Sequence, residues 1–328
     1  MTTLIEPGTT PSPIAETQSL VKEFNGTRAL DGVDLVVPYG AIVGLIGPSG
    51  CGKTTLVRHL TGIATPTSGE VRVFGADPRS FPAQARSRFG YMPQMPSLYP
   101  NLSVWRNMTF MSSMYGMHLR HRRHRLTELL ELVGLEADRR KLVKNLSGGG
   151  QRRLMLAATL VHEPELLFLD EPTAGVDPLL RARLWDHFRE LRDRGITLIV
   201  PTQYVGEAAA CDLVAVMSGG RLLTVLPPDE LRRFAYGGDV IALSLEQYLS
   251  RSALQRLAAV EGIRAVSRTD AGVNVVVDDA ERDRQHVIDV VSSLGGTGIA
   301  DEPFEPTYED IFVAIVERDR ALHEADAA

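Results

Sequence analysis

Two short stretches carry side chains whose types and spacing could manage a polyphosphate. Gly47-Pro48-Ser49-Gly50-Cys51-Gly52-Lys53-Thr54 fits the pattern G-x-x-x-x-G-K-S/T. Glycines let successive backbone N–H groups turn inward around an anion without Cβ clashes. A helix opening at Lys53 would add unpaired donors and the positive end of its dipole. Lys53 supplies a point charge for the β- and γ-phosphates, Thr54 can ligate Mg2+, and Thr55 closes the stretch. Cys51 lies at a helix start beside Lys53, so it is expected to react with alkylating agents and to be shielded when the loop is filled; the alternative is a small filler residue too enclosed to react.

The second stretch is Leu166-Leu167-Phe168-Leu169-Asp170-Glu171. An apolar strand would deliver two adjacent carboxylates at its C-terminal end, where open α/β sheets bind ligands. Asp170 would hold Mg2+, usually through water. Glu171 would take a proton from the attacking water as general base.

These groups need a parallel sheet to bring them together, and the chain patterning predicts one. From Ser19 to about Ala235, short β-branched runs alternate with helical patterns. Val33 to Val37, Ala41 to Ile46 and Gly69 to Phe74 read as strands, and Lys53 to Gly62 as a helix. Residues 104–161 are mostly helical, with Leu126, Leu129, Leu130, Leu132 and Val133 at helical spacings. Leu166 to Leu169 and Ile196 to Val200 are wholly apolar, like strands of a buried parallel sheet. Gly237-Gly238 marks a boundary. Beyond it, strand 240–245, helix 246–260, strands 262–268 and 272–278, helix 280–294 and strand 296–301 form a β-α-β-β-α-β order, the ferredoxin-like pattern. A last helix follows Pro306. The expected division is a disordered leader over 1–16, an α/β nucleotide-binding domain over 17–235, a small α+β domain over 236–303, and a helix and tail over 304–328.

Between the two phosphate-handling stretches stands Leu146-Ser147-Gly148-Gly149-Gly150-Gln151-Arg152-Arg153. It closely resembles the L-S-G-G signature of ABC ATPases, which other P-loop enzymes lack. The remaining motifs of that family follow in order over residues 17–235. Phe24 stands where an aromatic ring stacks on adenine, and Gln94 matches the glutamine that reaches nucleotide and Mg2+. Asp177, in Ala174-Gly175-Val176-Asp177, matches the D-loop aspartate. The resemblance implies a P-loop NTPase fold with a helical subdomain, ATP and Mg2+ as ligands, and Glu171, Gln203 and Lys53 as the residues that carry hydrolysis. Ser147 can cap a helix while Gly148 and Gly149 leave its end bare, making a second anion-seeking terminus. In the family this end closes over ATP held by the partner subunit. The chain has one P-loop and one signature, so the resemblance implies a pair: a homodimer or a dimer with a homologous ATPase.

Two positions depart from the family pattern. Pro201-Thr202-Gln203-Tyr204 has Gln where His is usual; a neutral amide can still donate a hydrogen bond but cannot become cationic. Gly150 stands where Gln is commonest. The T-Q-Y is frequent among the family's drug-resistance exporters. Glu305-Pro306-Thr307-Tyr308-Glu309-Asp310-Ile311-Phe312 resembles the P-S/T-x-E-D-V/I-F ending of those subunits. That branch implies export of a hydrophobic or drug-like compound through a separately encoded six-helix permease, with this chain peripheral at the cytoplasmic face of the membrane. The alternative is a soluble ABC ATPase, or a slowly hydrolysing module that assembles a complex.

Composition bounds the rest. The 328 residues are 44% apolar and 23% charged, with net charge −6, which argues against a nucleic-acid surface. No run of 18 or more apolar residues occurs. Two cysteines cannot make a disulfide framework and fit a reducing compartment. His118 to Arg125 is strongly basic: either a solvated helix start or a contact for anionic headgroups. Its arginines would repel a metal from its histidines. Met108, Met111, Met114 and Met117, three residues apart, are expected on one helix face, in the core or against the permease.

Overall fold

The computed structural model describes residues 12–95 and 97–326, in two compact units that meet between Val225 and Leu226. Residues 1–11 of the expected leader lie outside the described residues, and its last two, Ala15 and Glu16, already belong to a strand.

The strands of the first unit are β1 (Ala15–Phe24), β2 (Thr27–Val37), β3 (Ile42–Ile46), β4 (Ser68–Val73), β5 (Phe89–Met92), β6 (Leu166–Leu169), β7 (Thr197–Thr202), β8 (Leu213–Ser218) and β9 (Arg221–Leu226). Its helices are α1 (Lys53–Leu60), α2 (Ala83–Arg86), α3 (Val104–Met114), α4 (Leu119–Leu132), α5 (Gly148–Thr159) and α6 (Pro178–Asp193). Six strands form one sheet in the order β5-β6-β7-β3-β8-β9, with β5, β6, β7, β3 and β8 parallel. Every residue of β3, β6 and β7 is buried, as expected of strands covered on both faces, and that is why their sequences read as unbroken apolar runs. The C-terminal ends of these three strands therefore deliver the phosphate loop, the carboxylates and Gln203 to one edge.

A second, antiparallel sheet, β2-β1-β4, packs its apolar residues into the same core. Phe81, Phe89 and Phe168 continue that core as successive ring contacts, 6.4 and 5.9 Å between centroids. Burying a ring the size of Phe168 contributes about 2–3 kcal/mol. In the helical part, Ser103 caps α3 through the N–H of Arg106 (3.2 Å), and α5 packs against α3 and α4. The methionine row does not share one face: α3 stops at Met114, where Tyr115 and Gly116 end the helix, and Met117 lies beyond it. Met108 is fully buried while Met114 is exposed.

The second unit contains α7 (Pro228–Tyr236), β10 (Asp239–Ser244), α8 (Arg251–Ala258), β11 (Ile263–Arg268), β12 (Gly272–Val277), α9 (Ala280–Ser293), β13 (Ala300–Glu302) and α10 (Tyr308–Asp326). From β10 to β13 the order is β-α-β-β-α-β, and the sheet β11-β12-β10-β13 is antiparallel throughout. That is the ferredoxin-like arrangement. Ile241 and Leu243 of β10 stand opposite Val275 and Val273 of β12, and helices α8 and α9 cover this face with Leu257, Val287 and Val291. The division between units lies ten residues before the expected one, because α7 packs against α10 rather than closing the first unit. For the same reason the final helix is not a separate tail. Helix α8 starts at Arg251, not at 246, because Ser250 caps it through the N–H of Ala253 (3.2 Å). Strand β13 starts at Ala300, not at 296, because Gly295 and Gly298 (φ +96° and +61°) hold a turn before it.

Candidate active site

Strand β3 feeds a loop that opens α1. Gly50 and Gly52 adopt φ of +79° and +108°, which only glycine takes without strain. A Cβ at Gly47 would stand 2.3 Å from the Met217 carbonyl oxygen, and one at Gly52 2.7 Å from that of Ala29. The loop is thus both bent and pressed against backbone, while Pro48, Ser49 and Gly50 face solvent. The Lys53 ammonium donates to the carbonyls of Gly47 (2.6 Å) and Pro48 (3.0 Å) and is 6% exposed. Thr55 is half-buried on the first turn of α1. Cys51 does not meet its expectation. It is 4% exposed and packs in the hydrophobic core, so its sulfur is shut away from alkylating agents.

Thr54 Oγ1 donates to Asp170 Oδ2 at 2.9 Å across 116 residues. Burial pushes the Asp170 carboxyl above its ordinary pKa; the Thr54 hydrogen bond opposes this, and the neighbouring Glu171 carboxylate adds to it. A buried carboxylate with a hydroxyl beside it is an all-oxygen donor pair, and a hard divalent cation would relieve its charge. Gln94, expected as a third ligand, stands exposed two residues past β5; no hydrogen bond joins it to Thr54 or Asp170.

Glu171 is held from three sides. Its backbone is left-handed (φ +52°), uncommon for a residue with a side chain, and its N–H donates to the Pro201 carbonyl at 2.8 Å. Gln203 Nε2 donates to Glu171 Oε1 at 2.6 Å. Arg152 Nη2 lies 3.9 Å from Glu171 Oε2 and donates to the Asp170 carbonyl at 3.1 Å. A buried carboxylate fixed this firmly, with solvent reaching Gln203, can hold and deprotonate a water.

The signature residues are oriented elsewhere. Ser147 Oγ caps α5 by accepting from the Gly150 N–H (3.1 Å), and Ser147 and Gly148 are exposed. A Cβ at Gly149 would approach the Gly175 carbonyl to 3.0 Å. Among the described residues no hydrogen bond joins Ser147, Gly148 or Gly149 to the phosphate loop. Phe24, at the end of β1, is 51% exposed, with Lys22 Nζ 4.9 Å from its ring centre, and so keeps a free face for stacking. The structure therefore brings Lys53, Thr54, Asp170, Glu171 and Gln203 together and leaves Phe24, Gln94 and the signature open.

This geometry has known counterparts. Residues 30–174 match the pattern of the family described as ABC transporter. The daunorubicin/doxorubicin resistance ATP-binding protein DrrA of Streptomyces peucetius is 37% identical over 307 residues, 90% of this chain and 92% of that protein. The chain belongs to the ABC transporter family. A solved ATP-binding subunit of an ABC transporter superposes with a TM-score of 0.63 at 28% identity, covering 68% of this chain and 93% of that one. A dimeric ATP-binding cassette in a post-hydrolysis state, bound to ADP and Pi, shares the fold at a TM-score of 0.60 and 24% identity, over 65% of this chain and 98% of that one. The chain is thus an ABC-type ATPase. No helix among its described residues is long and apolar enough to cross a membrane.

Within this ABC ATPase, two site residues had no visible role in the sequence. Arg152 was legible only as part of the signature stretch, yet it ties α5 to both carboxylate positions. Glu207 is 6% exposed and accepts from Thr173 (2.5 Å) and Thr202 (2.6 Å), which clamps the turn after β6 to the end of β7. Nothing local to Glu207 signals this, because its partners are brought in by parallel strand pairing. Gly150 is buried near the start of α5; a Cβ there would meet Leu146 and Ser147 at 3.3 and 3.4 Å, tight but short of a clash.

Proposed function

We propose that two copies of this chain bind two ATP molecules between them and hydrolyse them to drive export of a hydrophobic, drug-like compound through a separately encoded membrane permease. The carrying observation is the match to DrrA over 90% of the chain, which reaches well into the second unit as well as the ATPase. That relative is named for resistance to daunorubicin and doxorubicin. The dimeric cassette of the same fold supports the pairing, and the peripheral placement beneath a permease follows from the same reading.

In this reading Gly47, Pro48, Ser49, Gly50, Cys51 and Gly52 present backbone N–H groups to the phosphates, and Lys53 leaves its loop carbonyls for the β- and γ-phosphates. Phe24 stacks on the adenine. Thr54 and Asp170, joined at 2.9 Å, would hold Mg2+, with Gln94 as a further candidate ligand. A bound Mg2+ neutralises charge on the phosphate oxygens. Glu171 accepts a proton from water as that oxygen bonds to the γ-phosphorus and the bond to the β–γ bridging oxygen breaks, releasing ADP and phosphate. Gln203 keeps the Glu171 carboxylate aimed, and Ser147, Gly148 and Gly149 of the partner subunit close over the γ-phosphate.

The test is reconstitution with the partner permease. Inside-out vesicles should accumulate daunorubicin with ATP, and Glu171→Gln should abolish the accumulation. Equal accumulation with wild type and Glu171→Gln would sink the proposal.

A further inference from the structure

A cavity of about 650 Å³ in the helical part of the first unit is lined by Ser103, Trp105, Arg106, Arg123, Arg139 and Arg140. It includes none of the phosphate-loop or carboxylate residues. The four guanidiniums come from three places: the start of α3, the first half of α4, and the segment before the signature. Two of these are pinned by backbone. Val104 N–H donates to the Lys141 carbonyl (3.0 Å), and Trp105 N–H to that of Arg139 (2.9 Å). Ser103 and Leu142 form an isolated antiparallel bridge. The arginines on this wall cannot drift apart without breaking that ladder.

Some exposed arginines elsewhere on the chain sit on carboxylates, as Arg28 on Asp31, Arg79 on Asp77 and Arg88 on Glu165; what sets this cavity apart is that four are gathered on one wall. Here only Arg139 has one nearby, Glu136 at 3.7 Å. Among the described residues Arg106, Arg123 and Arg140 have no carboxylate partner. Residues 106–144 hold nine Lys and Arg against four Asp and Glu, in a chain of net charge −6. Like charges gathered on a rigid wall repel, and an anion in the cavity would offset that. Arginine forks match the oxygens of phosphate in geometry as well as charge. Trp105 adds a half-buried indole wall on which a ring or a glyceryl chain can rest.

We propose that this cavity binds a phosphate-bearing anion at a site separate from the nucleotide. The phosphate could be the headgroup of an acidic phospholipid or a soluble phosphate ester, and the two sources can be told apart. The full chain is first saturated with a non-hydrolysable ATP analogue and Mg2+, so that the nucleotide site cannot take up the probe. Inorganic pyrophosphate is then titrated by calorimetry. In parallel the protein is sedimented with phosphatidylcholine vesicles with and without phosphatidylglycerol. The variants are Arg123→Glu with Arg140→Glu, the milder pair Arg123→Gln with Arg140→Gln, and an equal charge change at distant exposed positions, Arg86→Glu with Arg251→Glu.

Each lost charge-assisted contact should weaken binding roughly tenfold or more. A soluble-ester site gives pyrophosphate binding that both cavity pairs weaken and the distant pair does not, with quenching of Trp105 fluorescence that disappears in Trp105→Phe. A headgroup site gives sedimentation that needs phosphatidylglycerol, is lost in the cavity pairs and is competed by pyrophosphate. Basal ATPase turnover should be unchanged in every variant, which controls for folding. If neither probe binds, or the cavity and distant pairs behave alike, the inference is overturned.

Discussion

The two units differ most in what they bury. Among the described residues, every buried polar or charged side chain lies in the first unit, including Lys53, His59, Asp170, Glu171, Thr173, Thr202 and Glu207. The core of the second unit is apolar throughout, from Ile241 and Leu243 to Val287 and Val291. Burying a charge is costly unless it is paired, and the first unit meets that cost with hydrogen bonds at Lys53, Asp170, Glu171 and Glu207. Glu171 adds a strained backbone to it. The second unit buries no such groups among its described residues.

The sharpest way to break this contrast is to remove the charge that the first unit keeps. Glu171→Gln should lower turnover at least about 100-fold while ATP binding persists, since a general base contributes 10²–10⁴. Lys53→Ala should instead weaken ATP binding itself. Turnover within a few fold of wild type for Glu171→Gln, in steady-state assays with the permease present, would mean the base is another group.

The next effect is smaller and separates positioning from binding. Gln203→Ala and Arg152→Gln each remove one of the contacts that aim Glu171, worth roughly 1.4 kcal/mol or about tenfold in kcat. KM for ATP should stay nearly constant, and Arg152→Lys should recover part of the loss. If KM rises while kcat holds, these residues serve the nucleotide rather than the carboxylate. The Gln203 enzyme should also lack the titration near neutral pH that a histidine there would add.

Acid should sharpen the contrast further. Burial is the largest influence on His59, His162 and His187, all in the first unit, and holds each below its ordinary pKa. The unfolded chain therefore binds more protons below about pH 6.5. The stability these histidines contribute is present above that pH and is lost as pH falls toward their folded-state values. Calorimetry between pH 8 and 5.5 should show the first-unit transition moving down by a few degrees, at roughly 2–4 °C per kcal/mol, while the second holds. His162→Gln should flatten part of that slope. A first-unit transition independent of pH would remove the argument.

The smallest expected change comes from deleting residues 226–328. ATP affinity should stay within about twofold of the full chain, while pairing or coupling to the permease weakens. Loss of nucleotide binding by a truncated protein that is still folded would show that the second unit supports the site directly.

How much of this was written in the chain order depends on the range of each interaction. The phosphate loop was legible because glycines bend backbone locally and Lys53 follows within six residues of Gly47. Buried β3, β6 and β7 were legible because strands covered on both faces must be apolar. The small unit's β-α-β-β-α-β order was legible because Ile241, Leu243, Val273, Val275 and Val277 alternate with period two. These are properties a segment carries by itself. The tertiary structure alone decided the rest. Arg152 reaches Asp170 and Glu171 from 18 and 19 residues away because α5 packs beside β5, the strand paired with β6. Glu207 gathers Thr173 and Thr202, and Glu171 meets Gln203, because β6 and β7 pair in parallel. Cys51 turned inward to the core although its neighbours suggested an open thiol. Helix α7 joined the second unit because its partner, α10, comes some 70 residues later. A side chain's type limits which contacts it can make, and the packing of distant segments selects among them.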